Sequence, residues 1–118
     1  MADEYTRFSR LKLKDGTIIN NCSCGYSNRE LWCFLNDQSI FEAMQLFSDP
    51  SKFETVIFEF GIPINYTRLT YSGMTELITI DQRDTQTGVR IAGSRVEQIE
   101  EEIRTAPESE QESQTETK

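Results

Sequence analysis

The sequence predicts an α+β fold: a mainly antiparallel sheet or small barrel of about six strands with one inserted helix, then a short C-terminal helix and a disordered tail. Three observations support this prediction. Short runs of β-branched and aromatic residues alternate with turn residues over most of the chain. One segment has helical periodicity after a capping pattern, and the last eleven residues contain no apolar side chain. A chain of 118 residues has room for one such domain.

The first predicted element is a β-hairpin. Residues 7–14 and 17–22 flank Asp15-Gly16, a dipeptide that readily adopts the positive φ angles of a tight turn. The next apolar run, residues 31–35, fits two structures, because Ser27 and Glu30 resemble a helix capping box while five consecutive apolar residues also suit a doubly buried strand. We interpret it as a strand, since the flanking asparagines leave too little chain for a stable helix.

Residues 40–47 form the clearest predicted helix. Ser39 and Glu42 match a capping box, and Asp49-Pro50 ends the segment. The apolar positions that recur on one helical face are Ile40, Ala43, Met44 and Phe47. We expect this face to pack on the sheet, because such residues at helical spacing line a core more often than an exposed groove.

Four further strands are predicted after the helix, over residues 55–60, 65–71, 74–81 and 89–92. The expected turns are Ser72-Gly73, which would join the second and third of these strands as a hairpin, and Thr87-Gly88 before the last one. Pro63 should interrupt regular pairing at its own position, because proline cannot donate to a sheet ladder.

The domain prediction places one compact domain over residues 1–94, an amphipathic helix over 95–105 and a disordered acidic tail over 106–118. Ser94 and Glu97 match a third capping box. A thin apolar stripe on the charged helix consists of Val96, Ile99 and Ile103, and we predict that it contacts the sheet, a second copy or a partner. The tail should be disordered because it has no apolar side chain to bury after Pro107.

The charge of the chain is unevenly distributed. Residues 1–94 carry 9 basic and 12 acidic residues, whereas residues 95–118 carry 3 and 8, so most of the net charge of −8 falls in the C-terminal segment. An acidic chain repels the phosphate backbone, which makes nucleic acid an unfavourable direct ligand. A basic protein surface is the better candidate partner.

A basic stripe is predicted on the first strand. Side chains alternate between the two faces of a strand, so Leu11 and Leu13 share one face. The opposite face carries Arg10, Lys12 and Lys14. A solvated outer face that discourages edge pairing is the ordinary role of such residues, and contact with an acidic partner is the functional alternative.

The residues that catalysis commonly uses are absent or scattered, so we predict that the protein is not an enzyme and has no catalytic site. The chain has no histidine, which removes the usual triads and dyads. The carboxylates of the predicted strands, including Glu59, read as outer-face residues, and the single glycines form no phosphate-binding loop. We therefore expect no small-molecule substrate and no cofactor.

The cysteines and the apolar runs indicate a reduced protein away from membranes. Cys22, Cys24 and Cys33 are an odd number, and the N-terminus lacks the pattern of a secretory signal, so we expect free thiols. We predict no metal site, because a structural zinc site needs four ligands and these three have no histidine to join them. No apolar run approaches the 20 or so residues that span a bilayer.

Three segments together resemble a known group of proteins. These are Leu13-Lys14-Asp15-Gly16-Thr17, the helix end at residues 45–50 and the run at residues 71–80. They resemble small uncharacterised proteins encoded in phages and prophages of Gram-positive gut bacteria, often among virion-structure genes. The resemblance covers residues 10–92 and includes no catalytic signature.

The resemblance implies a non-catalytic structural or assembly protein of a phage, acting through protein–protein contacts that include homo-oligomers formed at sheet edges. Its expected location is the host cytoplasm, with incorporation into the virion as a further expectation. The alternative is an acidic accessory inhibitor that binds a basic host protein, as a nucleic-acid mimic does. A mimic should carry its carboxylates on the folded surface.

Overall fold

The computed structural model describes residues 7–93 and 96–105, within which nine strands and two short helices are found. The strands are β1 (Phe8–Leu13), β2 (Ile18–Asn20), β3 (Cys22–Ser27), β4 (Glu30–Leu35), β5 (Thr55–Ile62), β6 (Asn65–Ser72), β7 (Glu76–Arg83), β8 (Gln86–Ala92) and β9 (Glu97–Thr105). The helices are α1 (Ile40–Leu46) and α2 (Pro50–Phe53). The predicted tail over residues 106–118 lies outside the described residues.

The strands form two antiparallel sheets. Sheet A has five strands in the order β2-β1-β5-β6-β9, and sheet B has four in the order β3-β4-β8-β7. The prediction of a mainly antiparallel fold with few helices is confirmed. The prediction of about six strands with one helix is too low in both numbers, and over the described ranges the strands do not close into a barrel.

The core lies between the inner faces of the two sheets, where apolar side chains alternate with outward-facing ones. Sheet A contributes Leu11 and Val56, and sheet B contributes Leu31 and Ile91, all fully buried. The helices close the same core. The buried residues of the helices and of the α1 C-cap are Ala43, Phe53 and Phe47, and all three belong to the core cluster together with Met74 between the sheets.

The predicted N-terminal hairpin is confirmed, with β1 pairing to β2 around Asp15 and Gly16. Residues 31–35 are a strand, as interpreted, and belong to β4. The preceding strand β3 was not predicted. It pairs with β4 through a turn at Asn28 and Arg29, both with positive φ, and its Ser, Gly and Cys content hides it from a hydrophobic-pattern search.

The predicted hairpin between residues 65–71 and 74–81 is wrong, because β6 lies in sheet A and β7 in sheet B. The connection through Gly73 crosses from one sheet to the other. Gly73 has a φ of +97°, and a side chain on Gly93 would collide with the Gly73 carbonyl oxygen, so the crossing needs both glycines. The predicted interruption at Pro63 is confirmed, because Pro63 lies in the short turn of the β5–β6 hairpin and outside the ladder.

One further turn differs from the predictions, and an additional helix follows α1. Thr87 and Gly88 lie inside β8. The chain reverses before them, between β7 and β8, at Asp84, which has a φ of +52°. Helix α1 has the predicted capping box, with Ser39 accepting from the Glu42 backbone N–H at 3.1 Å. After it, Asp49 caps the unpredicted helix α2, whose first residue is Pro50.

The predicted C-terminal helix over residues 95–105 is wrong, because residues 97–105 form strand β9. It pairs antiparallel with β6 along the whole of that strand, with a register shift after Thr70. Backbone pairing to an otherwise open sheet edge therefore overrides the helical pattern that the Ser94 and Glu97 capping box suggested. The four glutamates of β9 thus belong to a strand of sheet A and not to a separate appendage.

Candidate functional site

The predicted basic stripe lies on the outer face of sheet A, as the strand alternation required. Each of its cations is close to a carboxylate. Lys14 Nζ lies 3.0 Å from Glu54 Oε1, and Arg10 Nε donates to Glu59 Oε1 at 2.6 Å. Lys12 Nζ is 3.8 Å from Glu59 Oε2. The stripe is therefore internally neutralised to a large extent and is not an open row of positive charge.

Glu59 is the centre of this outer face. The strand register places it between Arg10 of β1 and Arg68 of β6. Arg68 Nε donates to Glu59 Oε2 at 2.8 Å, and its Nη2 lies 2.7 Å from the same oxygen. The side chain of Glu59 has 0% exposure, although it points away from the core, because the cationic side chains around it cover it.

Opposing effects act on the pKa of the Glu59 carboxyl. Burial raises the pKa. The hydrogen bonds from Arg10 and Arg68, together with the charges of Arg10 and Lys12, lower the pKa by more. The pKa of Glu59 therefore lies below its ordinary value of 4.5. The carboxylate therefore stays ionised and binds three strands together through its cations. The sequence pattern predicted that Glu59 is an ordinary outer-face carboxylate. A local pattern does not show its partner Arg10, which is 49 residues away in the chain.

The predicted apolar stripe is divided by the strand structure. Val96 is buried in the core, and its carbonyl oxygen accepts a 2.8 Å hydrogen bond from the Tyr26 hydroxyl of sheet B. Ile99 and Ile103 lie on β9, with Ile103 in register with Thr67. Val96 thus anchors the start of β9 and is not available as a surface contact. The prediction that Ile99 and Ile103 bind a partner remains a prediction.

An unpredicted cluster occupies the outer face of sheet B. Trp32 and Phe34 are two residues apart on β4, so both point away from the core, and their ring centroids are 6.4 Å apart with planes inclined by 13°. Arg90 of β8 is directly opposite Trp32, with its guanidinium carbon 4.8 Å from the ring centroid. We call Trp32, Phe34 and Arg90 the aromatic surface.

The guanidinium of Arg90 is held in place by its neighbours. Nη1 lies 3.5 Å from Glu30 Oε1, Nη2 is 3.4 Å from Thr79 Oγ1, and Trp32 lies against its π face. The buried Nε has no hydrogen-bond partner in the described part of the chain. A cation positioned in this way over tryptophan is a preorganised contact group, since little side-chain freedom is left to lose on binding.

Glycines border the aromatic surface on both neighbouring strands. Gly25 of β3 is opposite Trp32, and Gly88 of β8 is opposite Phe34. A side chain at Gly25 would meet nothing within 4 Å, so the sheet is open beside Trp32. Aromatic residues often cover cross-strand glycines for stability alone, and here that ordinary role applies to Phe34, which lies 3.8 Å from a Cβ built on Gly88.

The concavities of the molecule differ in size and lining. A cavity of about 80 Å³ lies beside the aromatic surface, between Phe34, Asp81 and Arg83. Small-molecule sites usually enclose about 300–1,000 Å³, so this cavity suits one side chain of a partner protein better than a free ligand. A concavity of about 500 Å³ near Phe8 and Asn20 has no carboxylate or thiol in its lining.

The three cysteines lie close together inside sheet B. Cys24 of β3 is opposite Cys33 of β4, with their sulfur atoms 3.9 Å apart, and all three thiols are free. Burial, with a smaller effect from the Cys33 thiol, raises the pKa of Cys22 to about 12. Among the described residues, no group of three or more potential ligands is arranged to hold a metal ion. None of the described helices has the length and apolarity to cross a membrane.

Comparison with known proteins identifies no relative. The sequence matches no protein-family model and no curated protein, and the structure matches no solved structure.

Proposed function

We propose that the protein is a non-catalytic assembly component that acts through protein–protein contacts, with the aromatic surface as its principal contact. The observation that carries this proposal is the half-buried grouping of Trp32, Phe34 and a positioned Arg90 on the outer face of sheet B. Tryptophan and arginine are the residues most enriched among those that dominate binding energy at protein interfaces.

The chemistry of the surroundings favours a protein partner over other ligands. Aromatic rings and an arginine form the centre, and Asp81, Arg83 and Gln86 form a polar rim next to the small cavity. A partner that inserts one apolar side chain beside Phe34 and stacks an aliphatic or aromatic group on Trp32 fits this arrangement. The resemblance to phage proteins suggests that such contacts form during assembly of the virion in the host cytoplasm.

The proposal can be tested in the phage or prophage that encodes the chain. Mass spectrometry of purified particles and assembly intermediates should detect the wild-type protein and should find much less of a Trp32→Ala variant. Ile64→Ala is the matched control, since Ile64 is an exposed apolar residue in the β5–β6 turn. Absence of the wild-type protein from both particles and intermediates would contradict the proposal.

Trp32 also provides a direct optical test, because it is the only tryptophan of the chain. Binding of a partner at the aromatic surface should shift its fluorescence emission to shorter wavelength as water is excluded from the ring. Binding that leaves this emission unchanged would place the contact elsewhere on the molecule.

A second candidate function is the acidic inhibitor. The observation that favours it is that Glu97, Glu100, Glu101 and Glu102 lie on β9, a strand of the folded sheet. An inhibitor of this kind would bind a basic host protein with strong salt dependence. Capture of one basic protein at low salt, lost on adding salt and lost when these four residues are changed to glutamine, would support it over the assembly function.

A further inference from the structure

We propose that the protein self-associates through strand β7, which pairs antiparallel with the β7 strand of a second copy and joins two sheets B into one. This inference rests on the proposed action through protein–protein contacts and names one partner, the chain itself. It concerns a different surface from Trp32. Each of the following observations bears on the free edge of β7.

The other sheet edges are poorly suited to pairing. Strand β2 has only three residues, and β9 carries four glutamates in nine positions, which would oppose a second acidic strand. Strand β3 is tied to sheet A at both ends. The Cys22 backbone N–H donates to Ser9 Oγ at 3.2 Å, and the Tyr26 hydroxyl bonds to Val96.

Strand β7 is long and lacks the lysine and proline that commonly protect an edge. It has eight residues, contains neither lysine nor proline, and in the described part of the chain pairs on one side only, with β8. Its centre, Leu77-Ile78-Thr79-Ile80, is rich in apolar and β-branched residues. One bulge near Ile78, where the register to β8 shifts between Leu77 and Thr79, is its main irregularity.

The sequence of β7 is complementary to itself in one register. A two-fold axis through Ile80 places Ile80 opposite its own copy on the inner face and Thr79 opposite Asp81 of the second copy on the outer face. Beyond the bulge, the same axis places Leu77 opposite Gln82 on the inner face. Inner residues thus meet inner residues throughout, as a continuous sheet requires.

Charge complementarity selects this register. At both ends of the paired segment, Glu76 is opposite Arg83 of the second copy, and both residues are exposed in the single chain. Sliding the strands by two residues would instead bring Asp81 opposite its own copy, and directly opposed like charges destabilise a strand pair. Arg83 is available for this contact, because its side chain is 84% exposed and its 3.5 Å pair with Asp81 is a surface one.

The neighbouring helix offers additional apolar area to the second copy. Helix α1 packs on β7 and β8, and it leaves Phe41 75% and Met44 50% exposed. A copy added at β7 lies next to this helix and would cover part of these side chains. The two-fold axis is perpendicular to the sheet, so the two aromatic surfaces would lie on one side of the joined sheet.

Exchange of charges tests the pairing and its register. We expect the wild-type protein to dimerise in sedimentation velocity, and Glu76→Arg or Arg83→Glu alone to weaken the dimer at least about tenfold, since each places like charges opposite one another twice. A mixture of the two variants should form a heterodimer, in which every 76–83 pair is again of opposite sign. The double variant should dimerise as the wild type does.

The outcomes that overturn the proposal are distinct. A wild-type chain that stays monomeric at its highest soluble concentration refutes self-association. Equal dimerisation of the wild type and of both single variants refutes the β7 surface, and a mixture that associates no better than its components refutes the register. Trp32→Ala should leave the dimer unchanged, so loss of the aromatic contact and loss of the β7 contact are measured separately.

Discussion

Glu59 has an environment that is unusual for a residue on the outer face of a sheet. Its carboxylate is covered by side chains from the two neighbouring strands and is bonded to two arginines, so it acts as a cross-link among β1, β5 and β6. A buried carboxylate of this kind stabilises the fold chiefly because its cations would otherwise lie close together without compensation.

Replacing Glu59 by glutamine should lower the free energy of unfolding at pH 7 by about 3 kcal/mol, because the two arginines lose their counter-charge. Glu54→Gln is the matched control just before β5, and its exposed pair with Lys14 should contribute about 0.5 kcal/mol. Urea unfolding measures both. Equal effects of the two substitutions would contradict the central role of Glu59.

The lowered pKa of Glu59 predicts how the stability of the wild type and of Glu59→Gln depends on pH. A carboxyl with a lowered folded-state pKa contributes stability that is fully present above its ordinary value of 4.5 and is lost as the pH falls through the folded-state pKa. The wild type and Glu59→Gln should therefore differ in stability above pH 4.5 and converge as the pH falls through the lowered pKa of Glu59. A stability difference that grows as the pH is lowered below 4.5 would contradict the assigned direction.

The thiols should react slowly while the protein is folded. Burial raises the pKa of Cys22 and of Cys24, so little thiolate forms near neutral pH, and Cys33 is fully buried. A thiol reagent at pH 8 should modify the native protein far more slowly than the denatured one. Rapid modification of the native protein would show that strand β3 opens readily.

At the scale of the elements, α1 shows which of its side chains stabilise the fold. The predicted apolar face is confirmed for Ala43 and Phe47, which are buried, but Met44 is half exposed. The helix is short, and its orientation leaves both Met44 and Phe41 facing solvent. These two residues are therefore available for contacts and are not needed by the core.

Three substitutions in α1 should separate these roles. Phe47→Ala should cost about 3–5 kcal/mol by opening a cavity, and Ser39→Ala about 1 kcal/mol by removing the helix cap. Phe41→Ala should change the stability by less than about 0.5 kcal/mol, because that ring is mostly in solvent. Thermal unfolding of the three variants measures the order, and a large loss with Phe41→Ala would show that α1 packs differently.

At the scale of the whole molecule, sheet A depends on β9 to pair with the otherwise open edge of β6. Val96 fills the core, and β9 pairs with the full length of β6. Eight strands precede this segment, and the sequence patterns of those strands do not reveal the need for it. The folded domain therefore includes residues 97–105 and does not end near residue 94 as the sequence pattern suggested.

Two truncations test this boundary. A chain that ends at Thr105 should unfold at the temperature of the full-length protein, since residues 106–118 have almost no apolar side chain to bury. A chain that ends at Gly93 should lose at least about 2 kcal/mol, because burial of Val96 and the pairing of β6 are both removed. Equal stability of the two truncated chains would contradict the role of β9.

The sequence by itself determined the local elements: the Asp15-Gly16 hairpin, the capped helix α1, the apolar strands β4 and β5, and the outward direction of Arg10, Lys12 and Lys14. These follow from periodicity and turn chemistry, which act over a few residues. Only the tertiary structure decided that β6 and β7 lie in different sheets and that residues 97–105 form a strand. It also decided two side-chain contacts, between Trp32 and Arg90 and between Arg10 and Glu59. These features depend on pairing between residues far apart in the chain, where burial and backbone hydrogen bonds outweigh local propensity.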